Sequence, residues 1–226
     1  MAFTVPAPRP APDGAVRTHV RDVARWYEYR LGWATADDGP AAGPAPYPAS
    51  AQLATGLRFD VLDLPAPAGL ATLRRLPGGQ GPVALSGCHG RLWLLVAAGS
   101  AEELPGLLDW LEWNGVGLDL AVRGADRRIP APTPPGWDGP GVPGAAVWLR
   151  APVPGREVEP TLPGMPALPG PSSPGPPGHP ARTGYGSEGP GLVRLVAVAA
   201  AECHRHRLLA ARHPRQGATA QRLAFS

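Results

Sequence analysis

Proline and glycine fill 21 of the 41 positions from residue 151 to residue 191, and this stretch most constrains what the chain can fold into. Proline removes a backbone donor and glycine adds conformational entropy, so such a segment supports neither a long helix nor a sheet ladder. It also has too few apolar side chains to offset the entropy lost on ordering. We therefore predict a disordered or polyproline-like linker over residues 151–191.

Charge is uneven between the parts that this linker separates. All 21 basic residues are arginine. Six of them lie in residues 192–226 beside a single acid, whereas the rest of the chain has 15 arginines and 17 acids. We predict a flexible arm over residues 1–13, an α/β domain over residues 14–150, and a basic helix and tail over residues 192–226. This helix and tail are a candidate surface for nucleic acid or for a protein partner.

Several classes of protein are disfavoured by the sequence. No apolar run approaches the length of about 20 residues that a membrane-spanning helix needs, and prolines interrupt the N-terminus where a signal peptide needs a continuous apolar core. We therefore expect a cytoplasmic protein that does not bind membranes. Two cysteines, Cys88 and Cys203, are too few for a disulfide framework or a four-cysteine zinc site. A net charge of +3 is small for a protein that coats nucleic acid.

Hydrophobic periodicity predicts helices that alternate with strands, followed by strands that cluster toward the end of the domain. The clearest helix spans residues 100–113, where leucines recur every three or four positions behind a capping box at Ser100 and Glu103. This order predicts an α+β fold in which helices flank one mixed sheet. The predicted helices are 14–31, 66–76, 100–113 and 192–212, and the predicted strands are 57–64, 82–85, 91–97, 116–122, 128–131 and 145–149, with a proline-rich loop over 36–50.

Two aspartates, Asp60 and Asp63, lie in the otherwise apolar strand of residues 57–64. A carboxylate there costs desolvation energy unless it binds a metal or sits at the strand end. Their spacing sends them to opposite faces of a regular strand, whereas two-metal phosphoryl-transfer sites often use two aspartates two residues apart. Two interpretations are open. In the first, one of the two aspartates belongs to a functional site, and Asp63 is the better candidate; in the second, both are solvated carboxylates at the strand end.

Two further segments place polar residues among apolar ones. Residues 86–91 form a turn of small residues that ends in Arg91, which suits either a phosphate cradle of backbone N–H groups or an ordinary hairpin turn. Asp119 lies between leucines, where an unpaired carboxylate is costly. Asp119 therefore needs a partner, which is a metal, an arginine or a helix.

The C-terminal helix carries a group of metal-ligating residue types, namely Glu202, Cys203, His204, His206 and His213. Glu202 and His206 are four residues apart and either share a metal or belong to a solvated polar face, which is the more ordinary arrangement. The seven tryptophans include candidates for base stacking. Most of them lie in periodic apolar segments, so we expect core packing for these.

Five segments in a characteristic order carry a family resemblance. They are RWYEYRLGWA at 25–34, GLRFDVLDLP at 56–65, SGCHGRLWLLV at 86–96, GLDLAVRGADRRIPAPTPP at 117–135 and VWLR at 147–150. Together, from Tyr27 to Arg150, they resemble the bifunctional DNA primase/polymerase (prim-pol) domain of the archaeo-eukaryotic primase superfamily, in a short, diverged branch common in high-GC bacteria.

The resemblance implies a nucleotidyltransferase-like site that binds DNA or nucleotides. In it, Asp63 and Asp119 would hold Mg²⁺ or Mn²⁺, and His89 would join them as a catalytic residue. The same resemblance implies that Ser86, Arg91 and Arg123 contact the nucleotide and its phosphates. These roles are expectations from the family pattern.

The sequence also departs from that pattern. The family pairs its metal-binding carboxylates as Asp-x-Asp, and alignment on Pro65 gives the first position to Asp63 and the second to Leu64. The family histidine falls on Leu92, three residues after His89. Because a leucine cannot coordinate a hard cation, we predict a degenerate metal site. Two functions stay open: a primase/polymerase, or a non-catalytic regulatory or binding module with the same fold.

Overall fold

A computed structural model describes residues 13–36, 50–76, 78, 81–86, 90–137, 145–165 and 191–212, so most of the predicted arm and of the 36–50 loop lies outside the described residues. The helices are α1 (Asp13–Leu31), α2 (Ala66–Arg75), α3 (Ser100–Trp110) and α4 (Leu192–Arg212). The strands are β1 (Thr35–Ala36), β2 (Gln52–Ala54), β3 (Phe59–Pro65), β4 (Val83–Leu85), β5 (Arg91–Ala97), β6 (Ala121–Arg123), β7 (Arg128–Pro130) and β8 (Val147–Arg150).

The described strands form two sheets, and the predicted α+β class is confirmed. The larger sheet has the order β6-β3-β5-β4-β8 and the smaller one β1-β2-β7. The prediction of one mixed sheet is wrong, because every strand pair in both sheets is antiparallel. A helix between two strands often gives a parallel crossover. Here α2 instead leads to β4, which pairs antiparallel with β5, and β5 in turn pairs antiparallel with β3.

Three helices cover one face of the large sheet. Alternate residues of β3, Leu62 and Leu64, pack there with Leu92 and Leu94 of β5. Gly69 of α2 permits a close approach, since a Cβ at that position would lie 2.8 Å from Leu92. Helix α4, predicted as a separate C-terminal element, belongs to this core through buried residues along one side: Leu192, Leu195, Val196, Ala199 and Cys203.

The opposite face of the large sheet packs on α1 and the small sheet through an aromatic core. Tyr27, Trp33 and Phe59 are buried there, and Trp33 packs against both Tyr27 and Phe59. Trp148 Nε1 donates a hydrogen bond to the Tyr27 hydroxyl at 2.8 Å, and this hydroxyl donates to the Pro132 carbonyl at 2.7 Å. Burial raises the pKa of Tyr27, so the hydroxyl stays protonated as a donor. Of the seven tryptophans, Trp110 departs most from the expected core packing, at 71% exposed.

The packed part of the chain extends past the predicted linker boundary at residue 151. A 3-10 helix spans Glu159–Thr161, and Val158 and Leu162 on either side of it are buried in the aromatic core. Arg58 also forms an ion pair with Glu159 at 2.8 Å. Burial of these two apolar side chains in the aromatic core helps to offset the entropy lost when the segment is ordered. The proline and glycine content of the segment does not indicate this order. Residues 166–190 lie outside the described residues.

Two strand predictions need correction. The strand predicted over residues 116–122 begins only at Ala121, so Asp119 lies in the loop that precedes β6. Strands β1 and β2, of two and three residues, are missing from the predictions. Among the described residues, no helix has the length and apolar character needed to cross a bilayer.

Candidate functional site

Asp63 lies near the end of β3, an interior strand of the large sheet, on the face that also carries the aromatic core. Its strand β3 runs between β5 and β6, so Asp63 stands opposite Trp93 on one side and Ala121 on the other. The side chain is only 4% exposed. A buried carboxylate in such a position needs partners that offset its loss of hydration.

Two arginines from the neighbouring strands supply those partners. Arg91 donates from Nε to Asp63 Oδ1 at 2.6 Å and from Nη2 to the Asp63 backbone oxygen at 2.9 Å. Arg123 donates from Nη2 and Nε to Asp63 Oδ2, at 2.7 Å and 3.1 Å. Both carboxylate oxygens of Asp63 are therefore bound to guanidinium groups.

Asp119 joins this group from the loop before β6. Arg91 Nη1 donates to Asp119 Oδ1 at 2.6 Å, while the Asp119 side chain remains 63% exposed. Burial disfavours the charge on Arg91, but its hydrogen bonds to Asp63 and Asp119 outweigh this and raise its pKa. We call Asp63, Arg91, Asp119 and Arg123 the Asp63 cluster. Its two negative and two positive charges balance.

The structure thus brings together four of the six predicted site residues. Arginine side chains, however, occupy the place where the prediction puts a metal ion. A metal ion needs free oxygen ligands, and Asp63 has none that is not already bound by a guanidinium. Within the described part of the chain, no group of three His, Cys, Asp or Glu side chains is arranged to hold a metal. The residues present therefore do not fit a two-metal centre in this arrangement.

The remaining two predicted residues, Ser86 and His89, come between β4 and β5 in the sequence. Ser86 is buried, and its backbone N–H donates to the Arg91 carbonyl at 2.9 Å, which closes the hairpin. This contact fits the ordinary hairpin interpretation of the turn. His89, like Cys88, lies outside the described residues.

Asp60 has a different role on the opposite face of β3, as the spacing predicts. Its Oδ2 accepts a hydrogen bond from the backbone N–H of Ala101 at 2.9 Å. Ala101 lies in the first turn of α3, whose N-cap Gly99 has no side chain to accept such a bond. Burial raises the pKa of Asp60, and the hydrogen bond from Ala101 opposes that rise. Asp60 therefore caps α3 from a neighbouring strand.

The polar residues of α4 form no metal site, but they border a cavity. Glu202 is buried and pairs with Arg75 Nε at 2.7 Å and with Arg205 Nε at 3.9 Å. The cavity beside it measures about 400 Å³ and lies between α2 and α4. We call it the α2–α4 groove; its polar lining is Arg74, Arg75, Glu202, Arg205 and His206, and its apolar lining is Pro67, Ala68, Ala71 and Leu209.

The sequence interpretation placed Glu202 and His206 in this region but missed the arginines around them. The available signal was the pair Arg74 and Arg75 in the last turn of α2, where basic residues favour the helix C-terminus. Two other residues of the predicted group have structural roles. Burial raises the pKa of the Cys203 thiol to about 12, and His204 packs against Trp113. His213 lies outside the described residues.

Comparison with known proteins identifies no relative. The chain matches no family model, no curated protein and no solved structure. The resemblance to the primase/polymerase domain therefore stays a prediction from the sequence.

Proposed function

We propose that this chain is a non-catalytic nucleic-acid-binding module rather than an active primase/polymerase. The binding proposal depends on the charge of the layer formed by α2 and α4. This layer has a single acid, Glu202, which is buried, and α2 has none. A basic surface without exposed acids is the electrostatic footprint of nucleic-acid binding. Its exposed arginines are Arg74, Arg75, Arg194, Arg205, Arg207 and Arg212.

The Asp63 cluster supports the non-catalytic part of the proposal. Metal ions supply most of the charge stabilisation in phosphoryl transfer, and Asp63 would have to release two arginines before it could bind one. Leu64 and Leu92, at the positions of two further family ligands, are fully buried among the three helices on the other face of the sheet. Neither the residue types nor the positions supply the missing ligands.

A template-dependent primer-extension assay tests the catalytic alternative. We expect no product with Mg²⁺ or Mn²⁺, because the carboxylates are held by arginine. The informative variant is Asp119→Ala, since this side chain is exposed and its removal should leave the fold intact. Robust extension by the wild type that disappears in Asp119→Ala at an unchanged melting temperature would contradict the proposal.

Fluorescence anisotropy with a labelled single-stranded oligonucleotide tests binding. If phosphate contacts dominate, the logarithm of the association constant should fall linearly with the logarithm of salt concentration, by about 0.7 for each phosphate neutralised. Absence of binding at low salt would rule out the nucleic-acid proposal and favour the remaining alternative, a protein-interaction module.

A further inference from the structure

The α2–α4 groove differs from the rest of the basic surface because its arginines line a cavity beside a buried carboxylate. Glu202, only 5% exposed, contacts the Nε side of both Arg75 and Arg205. These two guanidinium groups come from different helices, and their side chains are 51% and 61% exposed. Two solvent-accessible arginines from different helices therefore lie beside the same buried carboxylate.

The hydrogen-bonding capacity of these arginines is largely unused. Among the described residues, the terminal nitrogens of Arg75 and Arg205 make no hydrogen bond, and Arg74 and His206 have no side-chain partner. The lining contains three guanidinium groups and one carboxylate, so it has an excess of positive charge. A guanidinium fork matches the geometry of a phosphate group and can bind it through two parallel hydrogen bonds.

We propose that the α2–α4 groove is an oxyanion site that seats a backbone phosphate of a bound nucleic-acid strand. This inference depends on the nucleic-acid-binding function proposed above and names the place where that function is concentrated. Arg74, Arg75 and Arg205 supply the donors, and Glu202 orients Arg75 through their 2.7 Å ion pair. Prior orientation lowers the entropic cost of binding, which distinguishes the groove from isolated surface arginines.

The same lining excludes the metal interpretation of Glu202 and His206. A cation in the groove would meet three positive side chains, and the carboxylate that should attract it is already paired with Arg75. The volume of about 400 Å³ accommodates a phosphate group with its sugar, since cavities that bind small molecules start at about 300 Å³.

The test compares two double variants with equal loss of charge. Arg74→Gln/Arg205→Gln removes two donors from the groove, whereas Arg127→Gln/Arg128→Gln removes two exposed arginines at β7, on the small sheet. Binding of a labelled 20-nucleotide oligothymidylate is measured by anisotropy at several salt concentrations, with inorganic pyrophosphate as competitor. Thermal unfolding of each variant checks that the fold is retained.

We expect the groove variant to weaken binding by about tenfold and to flatten the salt dependence, and the control to change affinity by less than about threefold. Pyrophosphate should displace the strand from the wild type. Equal losses in both variants would overturn the groove assignment while leaving nucleic-acid binding intact. Absence of binding by the wild type would overturn both proposals.

Discussion

The Asp63 cluster and the α2–α4 groove are both built from arginines around a buried carboxylate, yet they suit opposite purposes. In the cluster, two arginines meet two aspartates, and every oxygen of Asp63 is bound. In the groove, three arginines line a cavity with one carboxylate, and most guanidinium nitrogens are unused. An ion-pair network whose charges balance and whose hydrogen-bonding groups are all used has a structural role. A network with excess positive charge and unused donors can still bind a ligand.

The largest expected effect is on the cluster. Asp63→Asn should lower the free energy of unfolding by about 3 kcal/mol, because removal of one partner from a buried ion pair leaves the other charge without compensation. Arg91, whose side chain is 21% exposed, would bear most of this cost. Urea denaturation measures the change.

Asp119→Asn is the matched control, since its carboxylate contacts the same arginine at the surface and should cost less than about 1 kcal/mol. Similar losses for the two variants would mean that the cluster does not depend on the burial of Asp63.

Glu202→Gln should have a smaller effect on stability, about 1 kcal/mol or less. Its partners Arg75 and Arg205 are more than half exposed, so water can solvate them once the carboxylate is gone. Urea denaturation of Glu202→Gln and Asp63→Asn under the same conditions compares the two losses in the free energy of unfolding. A loss as large as that of Asp63→Asn would show that the groove, like the cluster, is mainly structural.

Asp60 is a third buried carboxylate, and within the described part of the chain it pairs with no arginine. Burial raises the pKa of Asp60 in the folded state, so the folded protein binds the carboxyl proton more tightly than the unfolded chain does. The free energy of unfolding should therefore fall as the pH rises from 3.8, the pKa of Asp60 in the unfolded chain, through the higher pKa of the folded state. Asp60→Asn should therefore be slightly more stable than the wild type at pH 7. The difference should vanish below pH 3.8.

Asp60→Ala is the control for this measurement, because it removes the cap of α3 as well as the charge. It should cost about 1 kcal/mol at pH 7. Chemical denaturation at a series of pH values follows both variants. An Asp60→Asn variant that is less stable than the wild type at pH 7 would mean that the charge itself is needed for the cap.

The smallest expected effect is that of Arg74→Gln on stability. Arg74 has no side-chain partner among the described residues, so the free energy of unfolding should change by no more than about 0.5 kcal/mol. Thermal unfolding measures this, alongside Arg128→Gln as an exposed arginine outside the groove. Clear destabilisation by Arg74→Gln but not by Arg128→Gln would mean that Arg74 stabilises the fold and is not free to bind a ligand.

Much of the fold could be predicted from the sequence because the main elements have strong local patterns. Strand β5 begins and ends at the predicted residues, and α4 and the end of α1 at Gly32 also agree with the predictions. Pairing could not be predicted in the same way, since whether β3 meets β5 parallel or antiparallel depends on contacts distant in sequence. The ordered segment around Val158 and Leu162 depends on such contacts too.

The candidate site shows the same division. The family resemblance implied that Asp63 and Asp119 belong to one site, and the structure links them through Arg91. The sequence could not show that an arginine rather than a metal joins them, because register sets which side chain reaches Asp63. The groove was harder still to predict from the sequence, since Arg75 and Glu202 lie in helices far apart in the chain.

The position of α4 in the chain has a consequence for synthesis on the ribosome. Its buried side covers Leu62, Leu64 and the inner surfaces of α2 and α3, yet residues 192–212 are made after all of these. Until they emerge, that face of the large sheet lacks one of its three covering helices, and leucines that α4 would bury are exposed to solvent. A nascent chain paused within the proline-rich stretch would therefore be a substrate for chaperones that bind exposed apolar surface.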